Sequence, residues 1–320
     1  VEDLVAEEAV QFSQRRVLIT GAAGFIGRRL TGMLVAAGAE TCTIESPSAD
    51  LAPLAELFPK INQFSLDIQD EAAVRHAVES SRPEYVFHLA AVGVTEPSLS
   101  LDLALAVNLH GTINLLHACC ESATDDSPLI RLVHTGTPYE YCREPDGRGQ
   151  EPCPASTYAA SKAAAFSIVR MYHRVQGWPI VTVRPFQVYG PGQPAHAFMP
   201  AAILAARASQ RFRMTGGEQE RDFVYVDDVV RGYLLAAANG RDGHSYDLGW
   251  GRTHSLREVV SRLYAVMQVE TRPLLGVLPY RPGEVWKLSA NTAAATRDLG
   301  WSPRVALDDG LALAVKSLLP

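Results

Sequence analysis

Residues 16–27 read RVLITGAAGFIG, a β-prone run that ends at Thr20 and opens directly into Gly21, Gly24 and Gly27. Val17, Leu18 and Ile19 before a glycine-rich turn predict a buried strand, and FIGRRLTGML then repeats apolar residues at helical spacing through Leu34. Strand, glycine turn and helix in that order bring the free N–H groups of a helix N-terminus to one point, where an anion is favoured. Glycine allows the sharp turn and lets a pyrophosphate approach the backbone. The spacing is G-x-x-G-x-x-G, a variant of the dinucleotide fingerprint, although glycines serving only a turn and close packing would look the same.

The same alternation continues outward. ETCTIE (40–45), INQFSL (61–66), EYVFHLAA (84–91), LIRLVHTG (129–136) and PIVTVRPF (179–186) read as strands, and 71–80, 101–121 and 157–175 as helices. This predicts an α/β fold, a Rossmann-type doubly wound parallel sheet over 15–185. From VYGPGQPAHAF onward the texture changes, so a smaller C-terminal α/β substrate-binding lobe is expected over 186–320, with about 221–248 returning to the first domain. A helix is expected over 256–267 and a looser tail around RPGEVWK. Residues 1–14 are acidic and read as an N-terminal arm with a short helix over 4–12.

Composition narrows the function. Of 320 residues, 47% are hydrophobic and 20% charged, which is globular rather than disordered. A net charge of −6 argues against a nucleic-acid partner. No apolar run approaches the roughly 18 to 20 residues of a membrane span, and VEDLVAEEAV lacks a basic leader, so no membrane partner is expected. Cys42, Cys119, Cys120, Cys142 and Cys153 are odd in number and lack C-x-x-C spacing, which points to a reducing cytoplasm and no metal site. Cys119 and Cys120 read as small buried hydrophobes.

Glu45 ends the second strand 18 residues after Gly27, where a carboxylate can accept hydrogen bonds from adenosine ribose hydroxyls and repel a 2′-phosphate. No Arg or Lys follows in SPSADLAP, so NAD is expected over NADP; an exposed strand-end Glu is the other reading. Asp67 and Ile68 are placed to flank the adenine, or simply to form a turn. Tyr158 and Lys162 stand four apart in YAASK, on one helix face. A nearby ammonium lowers a phenol pKa, so Tyr158 is a candidate acid/base near neutral pH. Thr137 lies at the end of the fifth strand, 21 residues before Tyr158, with a hydroxyl suited to bonding the reacting oxygen. His134 invites a general-base role, unless alternation turns it away.

TGAAGFIG, HLAA, VNLHGT, YAASK, RPFQVYGPGQ, RDFVYVDDV, RPGEV and LGWSP, in this order, resemble the extended short-chain dehydrogenase/reductases over nearly the whole chain after Arg15. More narrowly, the chain is similar to the nucleotide-sugar epimerases and dehydratases. The resemblance implies Thr137, Tyr158 and Lys162 as catalytic hydroxyl, acid/base and electrostatic partner, with Tyr158 and Lys162 also at the nicotinamide ribose. It further implies Gly21, Gly24, Phe25, Ile26, Gly27, Glu45, Asp67, Ile68, Leu89, Ala90, Ala91, Asn108 and Pro185 around the cofactor, Asn108 as a structural position. Substrate contacts implied are Thr137, Pro138, Tyr139, Gln187, Arg221 and Arg281, the two arginines gripping the diphosphate of a nucleotide-diphosphate sugar. Either arginine could instead form a surface ion pair.

Three positions depart from the family pattern. Pro138 and Tyr139 replace the Asp-Glu pair of the 4,6-dehydratases, Gln187 a common Asn, and Cys142 the Gly of a V-Y-G turn. TPYEYC also resembles the S-x-x-E-Y-G form of sugar 4-ketoreductases, and Tyr139 is either a second hydroxyl over the substrate or a packed aromatic. Hydride transfer at C4 of an NDP-hexose is therefore expected, as a 4-epimerase first and as an NAD(P)H-dependent 4-ketoreductase second. A nucleotide-sensing protein that lost the chemistry is the third reading. A homodimer through the helices over 101–121 and 157–175 is implied.

Overall fold

The computed structural model describes residues 7–94, 96, 98–141 and 154–318. The strands are β1 (Arg16–Thr20), β2 (Glu40–Glu45), β3 (Asn62–Ser65), β4 (Tyr85–His88), β5 (Arg131–Thr135), β6 (Ile180–Pro185), β7 (Gln187–Tyr189), β8 (Glu220–Arg221), β9 (Phe223–Tyr225), β10 (Ser245–Leu248), β11 (His254–Ser255) and β12 (Lys287–Leu288). Seven of them form one sheet in the order β10-β6-β5-β4-β1-β2-β3, every pair parallel. The order reverses next to β1, so the crevice beyond its carboxyl end is the natural ligand position of a doubly wound sheet.

The helices are α1 (Phe25–Ala36), α2 (Ala52–Leu57), α3 (Glu71–Ser81), α4 (Leu101–Glu121), α5 (Thr157–Gln176), α6 (Phe198–Arg207), α7 (Val226–Asn239), α8 (Leu256–Val266) and α9 (Leu307–Leu318). Strand alternation sends Val17, Ile19, Phe87 and Val133 to one face against Val229, Val230 and Tyr233 of α7. It sends Leu18, Val86 and Leu132 to the other, against Val74, Leu115 and Leu116. Covering both faces explains why the strands read as near-continuous apolar runs. A third cluster around Tyr189, Ile203, Val259 and Leu311 holds the C-terminal elements together.

The helix α4 is 21 residues long and apolar enough, by length and composition, to cross a membrane. Sequence reading found no such run. It lies instead against α3 and α5 with Leu115, Leu116 and Ala118 buried. Its middle turn, Ala106–His110, is π-helical. That bulge carries Asn108, whose amide is bonded to both backbone groups of Val92 and to the Ser161 hydroxyl.

β10 joins the edge of the main sheet, pairing Ser245 with Thr182 and Leu248 with Pro185. The sequence did not expose α2, α6 or α9; short helices and a tail without strong caps carry weak periodicity. Residues 7–14 are no free arm. Ala9 and Phe12 are fully buried, and the Phe12 ring meets Tyr85 at 4.9 Å and Phe87 at 6.1 Å, because an aromatic fills space beneath the sheet. Glu8 pairs with Arg304 at 3.3 Å, tying this segment to the C-terminal region. Phe12→Ala should therefore cost about 3–5 kcal/mol, read as a fall in the urea midpoint at unchanged slope.

Candidate active site

At the β1–α1 turn, Gly21 has φ +75° and lies so close to β4 that a Cβ would stand 2.8 Å from the Ala90 nitrogen. A Cβ on Gly27 would run into the Gly21 carbonyl. Both positions require glycine, and they press helix, turn and strand end together. Gly24 caps α1 without a side chain, and the first turn of α1 carries no acid. Phe25 packs towards the C-terminal cluster and Ile26 against the main core.

The Glu45 carboxylate is buried on this turn, accepting from the N–H groups of Ala22 at 2.5 Å and Ala23 at 3.2 Å. Burial pushes its pKa up to about 7 against the pull of both amides. It is therefore no exposed strand-end residue. Asp67 is exposed and accepts from Gln69 N at 2.9 Å, closing a turn, while Ile68 is buried and packs on Gly111 of α4. Leu89, Ala90 and Ala91 are half-buried past β4.

A buried polar chain leads from this turn to α5. Ala90 N donates to the Thr20 hydroxyl, Thr20 bonds His88 Nδ1 at 2.7 Å, His88 Nε2 bonds Thr112 at 2.8 Å, and Thr112 donates to the Asn108 carbonyl. With Thr112 already donating, His88 must donate from Nε2 and accept at Nδ1, which fixes its neutral tautomer. Burial and the Lys162 charge hold its pKa down to about 3. Asn108 continues the chain to Ser161, whose hydroxyl donates to the Tyr158 carbonyl.

Past β5, Thr137 is buried and its hydroxyl stands by the Tyr158 phenol, whose pKa it lowers. Tyr158 and Lys162 lie one turn apart on α5. The sequence suggested a lowered phenol pKa; instead burial raises it, and the charge of Glu140 adds to the rise. Burial draws Lys162 down to about 8, with Glu140 pulling the other way. His134 lies on the same sheet face, fully buried, with Nδ1 3.3 Å from the Thr182 hydroxyl and Nε2 without a partner. Burial and Lys162 keep it neutral, far below its ordinary pKa.

Glu140 escaped the sequence reading. It is 1% exposed, accepts from Thr137 N at 2.8 Å with one oxygen and from Arg184 Nε at 3.0 Å with the other. The signal was there as T-x-x-E, the spacing of a capping box, and the Pro138–Glu140 turn forms that box. Arg184 in turn lies between the rings of Tyr141 and Phe166, at 4.7 Å and 4.5 Å, and reaches Asp247 at 3.5 Å.

Of the residues expected at a substrate, Arg221 donates to the Val285 carbonyl at 2.7 Å and to Glu284 at 2.9 Å, so its fork is engaged within RPGEV. Arg281 is exposed, Pro138 buried, Tyr139, Pro185 and Gln187 half-buried. Cys142 and Cys153 lie outside the described residues. Cys119 is buried and Cys120 half-buried, and burial raises both thiols, Cys120 to about 12, as expected of inert packing residues.

The model of the NAD dependent epimerase/dehydratase family matches residues 17–249. The chain belongs to this family. It is 31% identical over 318 residues to a UDP-glucose 4-epimerase of Mycolicibacterium smegmatis, covering 94% of this chain and 97% of that one. It is 29% identical over 313 residues to a GDP-6-deoxy-D-mannose reductase of Pseudomonas aeruginosa, covering 93% and 95%. Among solved structures, the UDP-glucose 4-epimerase of Thermus thermophilus in complex with NAD superposes with a TM-score of 0.81 at 29% identity, covering 94% and 98%. The resemblance seen in the sequence and the parallel sheet agree with this membership.

The Glu45 site yields a pH prediction for the cofactor-free protein. A carboxyl raised from 4.5 to about 7 adds stability below its unfolded value and loses it as pH rises through 7. Urea midpoints should therefore fall between about pH 5 and pH 8 more steeply in the parent than in Glu45→Gln; equal slopes would mean that the carboxyl ionises as in water.

Proposed function

We propose that this chain is an NAD-dependent enzyme that oxidises and re-reduces C4 of a nucleotide-diphosphate hexose and releases the C4 epimer. The observation that carries the reading is the Thr137 hydroxyl beside the Tyr158 phenol, with Lys162 one turn along, at the same end of the sheet as the glycine turn. The glycine turn suits a dinucleotide: two positions without room for a Cβ and a helix N-terminus with no acid in its first turn. NAD, when bound, would supply the hydride acceptor and, in its oxidised form, a positive charge.

Gly21, Gly24 and Gly27 take the pyrophosphate, with Phe25 and Ile26 setting the helix start behind them. Glu45 turns its carboxylate from Ala22 and Ala23 to the adenosine ribose, where it disfavours a 2′-phosphate; NAD is thus preferred to NADP. Asp67 and Ile68 border the adenine, Leu89, Ala90, Ala91 and Pro185 line the dinucleotide, and Asn108 sets the π-bulge that aligns α5. Tyr158 takes the C4 hydroxyl proton and later returns it, Thr137 bonds the same oxygen, and Lys162 stabilises the tyrosinate. Arg221 exchanges Glu284 for a phosphate oxygen, and Arg281 adds the second cation. Pro138, Tyr139 and Gln187 border the sugar. Because Pro138 and Tyr139 carry no carboxylate, elimination of water across C5 and C6 lacks its acid and base.

A one-way 4-ketoreductase is the second reading, favoured by Glu140-Tyr141 in TPYEYC and by the reductase among the relatives. Exposed Leu101, Leu103, Met171 and Val175 on α4 and α5 support a homodimer through these helices. The free thiols of Cys42, Cys119 and Cys120 suit a reducing cytoplasm.

Denaturing the purified protein and weighing the released small molecules decides between the readings. Stoichiometric NAD, and a C4 epimer formed from UDP-glucose without net NADH, are the outcomes expected; an empty protein that takes up NADPH and consumes it would select the reductase. Tyr158→Phe should lower kcat about 10²- to 10⁴-fold while leaving cofactor content unchanged.

A further inference from the structure

We propose that Glu140 is a positioning residue: its carboxylate, held by Arg184, fixes the backbone that carries Thr137 and places a negative charge that acts on the Tyr158–Lys162 pair. This rests on the catalytic reading of that pair. Burial raises the Glu140 pKa, and the Arg184 guanidinium with the Thr137 N–H pulls it back toward the ionised form. One oxygen accepts from Thr137 N at 2.8 Å, and the other from Arg184 Nε at 3.0 Å. Gly136 makes the room: a Cβ there would stand 2.8 Å from Glu140 Oε1 and 3.1 Å from both Thr182 Cγ2 and Arg184 Cγ.

The arrangement does two things for the site. By holding Thr137 N, the carboxylate sets the extended backbone of Thr137 (φ −144°, ψ 146°), from which the hydroxyl reaches the Tyr158 phenol. Its charge also acts on both members of the pair, favouring the charged form of Lys162 and opposing that of Tyr158. Among the described residues, the other titratable groups facing this cluster are Tyr139 and Tyr233 at Tyr158, His88 and His134 at Lys162, and Arg184 with Tyr141 and Asp247 behind the carboxylate. Both histidines stay neutral because Lys162 and burial keep them so, which leaves Glu140 as the negative charge that Lys162 senses among the described residues. The pair thus rests on a carboxylate from the turn before it, at a position that neither Thr137 nor YAASK reveals.

The chain has four lysines, so carbon NMR of lysine labelled at the ε position can follow Lys162 directly, with Lys162→Arg for assignment. The protein is used as purified. Lys162 should titrate near pH 8 in the parent. In Glu140→Gln, which keeps an acceptor for Thr137 N but removes the charge, the midpoint should fall by about one pH unit. Turnover of UDP-glucose should fall about 10-fold or more with the acid limb of its kcat profile displaced to lower pH, since loss of the charge eases phenol ionisation. Glu140→Asp keeps the charge and withdraws the carboxylate from Thr137; its Lys162 midpoint should stay within a few tenths of a pH unit while kcat falls. This variant also serves if the Gln form does not fold.

An unchanged Lys162 midpoint and kcat profile in Glu140→Gln, or an unchanged kcat in Glu140→Asp, would overturn the proposal. The catalytic reading fails separately, by full turnover in Tyr158→Phe, whatever Lys162 does in the Glu140 variants.

Discussion

A parallel sheet covered on both faces has only its strand ends left for chemistry, and this constraint orders the whole molecule. Thr20, Glu45, His88, Thr135 and Pro185 end their strands at one rim of the sheet. Apolar runs that bury the strands along their length therefore deliver polar side chains together where the strands stop. The glycine turn tightens the same rim: Gly21 against Ala90 and Gly27 against the Gly21 carbonyl leave no space for side chains between β1, β4 and α1.

The two halves of the site are tied by polar groups that cannot reach water. From Ala90 N through Thr20, His88, Thr112 and Asn108 to Ser161 and the Tyr158 carbonyl, each buried group is satisfied by the next. An unmade bond inside such a chain costs the full desolvation of the group left over, so the chain holds one arrangement. The π-turn of α4 fits this account. One extra residue in the helix brings Asn108 to bond both backbone groups of Val92 and still reach α5.

What could be read in the sequence was whatever local pattern controls. The glycine turn, the six strands from β1 to β6 and the Tyr158–Lys162 spacing follow from short-range periodicity and turn chemistry. Phe12, Glu140 and the engagement of Arg221 by Glu284 depend on elements that meet only after folding, and their sequence signals are an isolated aromatic, an unremarked T-x-x-E and an ordinary arginine. The expectation of a depressed Tyr158 pKa failed for a similar reason. Helix spacing tells which side chains share a face, but not how much water is removed from them.

That difference matters for how the pair works. With burial driving Tyr158 up and Lys162 down to about 8, both groups are shifted towards their neutral forms, and a charged form is supported by what lies nearby. Glu140 supports the ammonium and opposes the tyrosinate, so proton transfer from phenol to a basic partner is held back until another positive charge arrives. The turn thus favours a protonated phenol beside a charged ammonium, and the two groups owe that asymmetry to one buried carboxylate.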